Sequence, residues 1–197
     1  DLAQAFWLRV DDQEGPTIAC HAERIYSTDD FVSEFLASGR LWWHRTSPIP
    51  AETWRGQLAE LPICLRGNVA YAGSMLISKP HRGRGLSLFL PYLSRALCLR
   101  NYRTSFHTGL VRESLAGSAV PTGNYGFPRT TPIFRGTLPG LIGPYEQVHL
   151  CWMDRHEGFA RLTSLPEHPK FPIDLHCGAA VDTVATTVPT CNEQLEV

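Results

Sequence analysis

Residues 69–100 constrain the fold more than any other stretch of the chain. An apolar, strand-like run from Val69 to Ile77 passes through Ser78-Lys79-Pro80-His81-Arg82-Gly83-Arg84-Gly85 straight into a helix-like segment, Leu86 to Arg100. A glycine-rich turn between strand and helix is a phosphate-binding device. Glycine lets the backbone come close to a ligand, the first helical N–H groups have no partner inside the helix, and the helix dipole adds positive potential there. Arg82 and Arg84 add full charges.

The string fits neither common nucleotide motif: G-x-x-x-x-G-K-[ST] is absent, and G-x-G-x-x-G fails because position 88 is leucine. It resembles the acyl-CoA-binding signature R-x-x-G-x-G/A of the GCN5-related N-acetyltransferase (GNAT) superfamily, read here as Arg82-Gly83-Arg84-Gly85-Leu86-Ser87, with serine at the last small position. The family places an aliphatic strand before this loop, a long helix after it, another strand next and a Gly-Phe pair beyond. Here these are Met75-Leu76-Ile77, segment 86–100, Tyr102 to Val111, and Gly126-Phe127. The order matches over residues 66–137, and more loosely over 5–163.

Composition is that of an ordinary globular domain. With 197 residues, 43% hydrophobic and 19% charged, the chain has material for one core. The net charge of −1 provides no global field toward nucleic acid or an anionic membrane, so any anion site must be local. Cysteines stand at 20, 64, 98, 151, 177 and 191 with no C-x-x-C pair, and Cys20 and Cys98 lie in apolar segments; a reduced, cytoplasmic protein is the simpler expectation. No run approaches the ~18 apolar residues of a membrane span. His149, Cys151, His156, His176 and Cys177 can bind metals, but their spacing fits no common zinc pattern, and no metal is expected.

Along the chain, Phe6–Val10 and Thr17–Tyr26 read as a hairpin, residues 29–39 as a helix closed by Gly39, and Ala51–Leu61 as a second helix. Strand 68–77, the loop and helix 86–100 follow, with Pro91 near the helix start. Then come strand 103–111, a short helix 114–120, strand 131–137, and a final hairpin of 147–153 with 158–163. Residues 166–197 form a Pro/Thr-rich extension, with 178–197 read as a poorly ordered tail. Strands in runs with one strand–loop–helix–strand crossover argue for an α+β fold, a mixed and largely antiparallel sheet flanked by helices. The acyltransferase-like domain is expected over 1–165. The chain departs from the family in two places: it starts almost on the hairpin where the family opens with a strand and two helices, and it carries a long segment between the hairpin and the loop strand where the family is tight, so helices within 29–61 are read as covering the acceptor site in place of the missing ones.

The resemblance implies more about function. Strands 68–78 and 103–111 would be parallel and splay apart, with the pantetheine arm of an acyl-CoA along Met75, Leu76 and Ile77 and its pyrophosphate on Arg82, Gly83, Arg84, Gly85, Leu86 and Ser87. The implied activity is N-acyl transfer, acetyl from acetyl-CoA in the first instance, to an amine acceptor by direct attack in a ternary complex. A non-catalytic acyl-CoA-binding or protein-interaction module on the same fold is the alternative. The implied partners are acyl-CoA and an amine, with a homodimer open and neither nucleic acid nor membrane involved. A thioester is already activated, but an amine with pKa near ~10.4 must lose a proton before it attacks, and the leaving thiolate needs one. Glu23 and His21, which share a face of strand 17–26, and His107 are the candidate bases. The family's acid, a tyrosine in Y-x-x-x-G-F, would fall on Thr122, so Tyr125 is the available substitute.

Overall fold

The computed structural model describes residues 2–13, 15–41, 55–59, 61, 63–137 and 146–164. All of these residues belong to one compact unit. The tail 166–197, Trp42 and Trp43 lie outside the described residues.

Strands β1 (Leu2–Asp11) and β2 (Thr17–Thr28) form the expected hairpin. Its turn is closed by Gly15 N–H donating to Asp12 O at 3.0 Å, while the Asp12 carboxylate accepts from Gln13 N–H at 3.0 Å. A π-helical segment, Val32–Ala37, follows, with the Asp30 carboxylate accepting from the backbone of Val32 and Ser33. Gly39 closes it at φ 74°, a left-handed conformation that only glycine adopts without strain. Strands β3 (Arg55–Leu58) and β4 (Gly67–Ile77), helix α1 (Leu86–Asn101), strand β5 (Phe106–Arg112) and the single turn α2 (Glu113–Ala116) come next. Strands β6 (Arg129–Thr137) and β7 (Glu146–Asp154) and helix α3 (Arg155–Thr163) complete the described part.

The strands form one sheet in the order β1-β2-β4-β5-β7-β6-β3, in which only the β4–β5 pair is parallel. The sheet is the expected mixed, largely antiparallel one, with helices packed on it. A parallel pair needs a crossover, and the glycine loop with α1 is that crossover.

Three expectations are corrected. Ala51–Leu61 is not a helix through its described part, because Arg55–Leu58 pairs antiparallel with Phe134–Thr137 as an edge strand. Short apolar runs do not tell strand from helix by period alone, and the free edge of β6 decides here. Residues 158–163 do not form a strand either, since they lie in α3. Asp154 caps that helix, accepting from Glu157 N–H at 2.8 Å while the Glu157 carboxylate accepts from Asp154 N–H at 3.0 Å. The hairpin partner of β7 is instead β6. The third concerns 114–120, where α2 ends at Ala116 and a separate π-helical turn covers Val120–Asn124.

One face of the sheet carries the larger apolar cluster. Tyr26, Phe31, Phe35, Leu36, Leu65, Val69, Tyr71, Ile133, Phe134, Val148, Leu150 and Trp152 are buried together, each such side chain contributing roughly 1.5–3 kcal/mol. Helix α1 covers the other face through Leu86 and Leu90, packed on Ala19, Met75 and Ile77. The two halves of β4 therefore present odd-numbered residues to opposite faces. Val69 and Tyr71 point one way and Met75 and Ile77 the other, because Ala22 pairs with Ser74 and Glu23 with Ala72, leaving Gly73 as an extra residue. Such a bulge shifts the side-chain alternation by one position.

Candidate functional site

The bulge at Gly73 sits where the parallel strands part. Pairing of β4 with β5 runs from Val69/Phe106 to Ala72/Gly109 and stops, although β4 continues along β2 to Ile77 and β5 continues along β7 to Arg112. Beyond Ala72 the β5-facing backbone groups of β4 have no strand partner among the described residues, leaving open hydrogen-bonding positions along a wedge. A cleft of about 130 Å³ occupies this region. Gly73, Ser74 and Met75 line it from β4, and Gly109, Leu110 and Val111 from β5.

Phe127 lies over Gly109 at the mouth of the wedge. A Cβ there would stand 3.4 Å from Phe127 Cε2 and 3.7 Å from Ala72 Cβ, in ordinary van der Waals contact with both.

The glycine loop leads from the end of β4 into α1. Gly83 and Gly85 both take left-handed φ values, 75° and 80°. The first hydrogen bonds of α1 are made by Leu88 and Phe89 N–H to Gly85 O, so the amides of residues 83–87 come before any helical partner. No atom lies within 4 Å of a Cβ built on Gly83, which leaves that part of the loop open to a ligand. Arg82 and Arg84 are exposed, and Arg82 Nε donates to Ile77 O at 3.2 Å, which ties the loop back to the strand. Ser78 Oγ and His81 Nδ1 are bonded at 2.7 Å. Met75 lines the cleft and Ile77 packs under α1, but Leu76 turns to the opposite face and is 63% exposed. Only its backbone stands along the wedge.

Beneath α1 the cleft is polar. Its lining includes Glu23, His21, His107 and Tyr125, four residues from three separate regions of the sequence, together with Arg95 from the helix itself. Glu23 is 4% exposed, and its Oε1 accepts from Ser94 Oγ at 2.5 Å and contacts His21 Nε2 at 3.3 Å. Glu23 Oε2, His21 Nδ1, and Arg95 Nε and Nη1 are buried without a hydrogen-bond partner among the described residues. Native folds leave few such groups unpaired. Several in one cleft mark a place built for polar ligand atoms or water.

His107 differs from the others. Its Nε2 is bonded to Thr104 Oγ1 at 2.9 Å, and burial, reinforced by the charges of Arg95 and Arg155, pushes its pKa down to about 3. At neutral pH the ring is uncharged and a poor proton acceptor. Tyr125 is pushed the other way, its phenol pKa raised first by burial and then by Cys151, so it keeps its proton.

Sequence reasoning missed Arg95 and Ser94. A buried arginine and serine on an amphipathic helix look like ordinary polar-face residues until the helix is seen lying on Glu23. Among the described residues no described part of segment 29–61 lines the cleft, and no group of three or more metal-binding side chains is present. No described helix is long and apolar enough to cross a membrane.

No family model matches the chain, and a search of curated proteins finds no match. Among solved structures, a spermidine N-acetyltransferase chimera from Vibrio cholerae SpeG and hSSAT is similar to it at TM-score 0.43 and 10% identity, over 79% of this chain and 70% of that one. The parallel pair joined by a glycine loop and helix, and its parting beyond Ala72 and Gly109, match the arrangement expected from Arg82–Ser87.

Proposed function

We propose that this protein is an acyl-CoA-dependent N-acyltransferase that moves an acyl group, acetyl in the first instance, from the thioester of coenzyme A to an amine. The observation that carries this reading is the wedge between β4 and β5 with the glycine loop at the end of β4. An extended arm bearing amides, such as pantetheine, is complementary to an unpaired strand edge, as an added strand would be. Its pyrophosphate then meets the amides of Arg82 to Ser87 and the positive end of the α1 dipole. Arg82 and Arg84 supply charge at the rim.

With the arm along Met75 to Ile77, the thioester reaches the polar floor of the cleft. Glu23 with its partner His21 forms the proton-accepting side, and Tyr125 supplies a phenolic proton to the leaving thiolate. His107, held neutral and engaged by Thr104, orders the floor beside them in this reading. The acyltransferase unit lies within residues 1–165, with 166–197 as an appended extension.

Calorimetric titration with acetyl-CoA, CoA and ATP tests the proposal. Saturable binding of the first two but not of ATP supports it, and thiol release on adding an amine separates an enzyme from a binding module. Absence of binding by the folded chain would overturn it.

A further inference from the structure

We infer that His21, through Nδ1, is the group that takes the proton from the acceptor amine, and that Glu23 is the carboxylate that positions it. This rests on the acyl-transfer reading above and names the proton acceptor within that site.

The argument begins with hydrogen-bond capacity. An ionised carboxylate only accepts, so an imidazole nitrogen bonded to Glu23 Oε1 must carry the hydrogen. The nitrogen in contact is His21 Nε2, at 3.3 Å. In the neutral ring the proton then sits on Nε2, and Nδ1 holds the lone pair. That nitrogen has no partner among the described residues, and His21 lines the cleft. Glu23 Oε1 also accepts from Ser94 Oγ, which fixes the carboxylate from the α1 side and leaves it facing the ring.

Location adds a second reason. His21 pairs with Met75 across β2 and β4, so it stands in the row adjoining the strand edge where the thioester arm would lie. The charged or titratable groups that share the cleft with it are Glu23 on its own strand, Arg95 from α1, His107 from β5 and Tyr125 from the turn before β6. The Arg95 guanidinium offers only donors, His107 is bonded through Nε2 to Thr104, and Tyr125 keeps its proton. His21 Nδ1 is the imidazole nitrogen lining the cleft that is fully buried with no partner among the described residues. The arrangement of carboxylate, imidazole and reacting group is the orienting logic of a catalytic triad, with an amine in place of a hydroxyl.

The step balances as follows. Nδ1 of neutral His21 takes one proton from the acceptor ammonium, and the freed nitrogen lone pair bonds to the thioester carbon. The tetrahedral adduct breaks its C–S bond as Tyr125 donates its phenolic proton to sulfur. The second amine proton restores Tyr125, and imidazolium releases the first to solvent. The products are amide, free thiol and one proton.

Two measurements test this, and they fail separately from the acyl-transfer reading. Nitrogen-resolved NMR of the full chain should find His21 in the Nε2–H tautomer, with Glu23→Gln disturbing that preference; an Nδ1–H tautomer in the wild type would overturn the inference whether or not the protein transfers acyl groups. With acetyl-CoA and n-butylamine as probes, His21→Gln should lower kcat by about 10²–10⁴ while acetyl-CoA affinity holds. Imidazole added to His21→Ala should restore part of the rate, and Glu23→Gln on top of His21→Gln should cost little more. Loss of activity in Glu23→Gln to or below the His21→Gln level, with no rescue by imidazole, would make Glu23 the base and sink the proposal. If n-butylamine draws no thiol from the wild type, that counts against acyl transfer to this amine, and the tautomer still decides the role of His21.

Discussion

Arg95 donates through Nη2 to the backbone carbonyl of Tyr125 at 2.7 Å, joining helix α1 to the turn that precedes β6. The guanidinium lies 5.2 Å from the ring centroid of Tyr92 and 5.5 Å from that of Phe127, so an aromatic on its own helix and one beyond the turn hold it in place. Burial works against its charge, and the nearby Glu23 carboxylate works for it. One buried cation thus sets where Tyr125 and Phe127 stand relative to Glu23.

Replacing Arg95 by Ala should destabilise the fold by about 2–4 kcal/mol, since the bond to Tyr125 O and the ring contacts go and Glu23 loses its buried counter-charge. Lysine should recover little, because it offers neither the planar stack nor the fork of donors. Urea denaturation of both variants checks this; a lysine variant as stable as wild type would count against it.

Gly126 sits at φ 70°, and a Cβ there would stand 3.1 Å from Tyr92 Oη and 3.2 Å from Arg95 Nη1. Gly126→Ala should therefore lower stability by roughly 1–3 kcal/mol, through left-handed strain and displacement of the same guanidinium. Gly117, at φ −78° and with open space around its Cβ position, makes the control: Gly117→Ala should change stability far less. Thermal melts of the two side by side give the answer.

At Gly83, where a side chain meets no protein atom, Asp and Asn carry the same backbone strain and differ only in charge. The aspartate variant should bind acetyl-CoA at least about tenfold more weakly than the asparagine variant, a difference of ~1.4 kcal/mol. Equal affinities by calorimetry would mean that no phosphate approaches this loop.

Tyr125→Phe should leave acetyl-CoA affinity intact and slow acyl transfer by about 10²-fold or more if the phenol protonates the thiolate. Unchanged turnover would return Tyr125 to a packing role beside Val111, Phe127, Cys151 and Met153.

His107 gives a pH prediction with a definite sign. Its pKa falls from the ordinary 6.5 to about 3 on folding, so between those values the unfolded chain binds a proton that the folded one does not. Its contribution is complete above the unfolded value and is lost as pH falls from 6.5 through about 3, with a slope of at most ~1.4 kcal/mol per pH unit. His107→Gln should flatten the loss of stability in that window. An acid-unfolding curve with the same slope as wild type would contradict the assignment.

Much of the fold was legible in the chain order. The hairpin of residues 2–28, the strand into the glycine loop and α1 carry strong local signals: alternation, turn residues and a long apolar period. Two of the three corrected elements show where such signals stop. Arg55–Leu58 is a strand only because β6 offers it an edge, which no local pattern encodes. Helix α3 did have a local sign, since Asp154 followed by Glu157 is a capping box, and weight given to it over the apolar residues of 158–163 would have found the helix.

For the site, the sequence by itself determined the loop and its chemistry: two glycines, two arginines and a helix start adjoining a strand, a local arrangement that chain order alone brings together. It also put His21 and Glu23 on one face of a strand, because residues two apart in β structure point the same way. The tertiary structure decided the rest. Gly73 is an extra residue only relative to the register of β2, and that bulge is what turns Met75 toward α1. The parting of β4 from β5 depends on the strands each keeps on its other side. The meeting of Glu23 with Ser94, 71 positions away, and of Arg95 with Tyr125, 30 positions away, comes from a helix laid across a sheet. Side-chain character is written residue by residue, but proximity between distant segments exists only after the core has closed, and the polar floor of the cleft is made of such proximities.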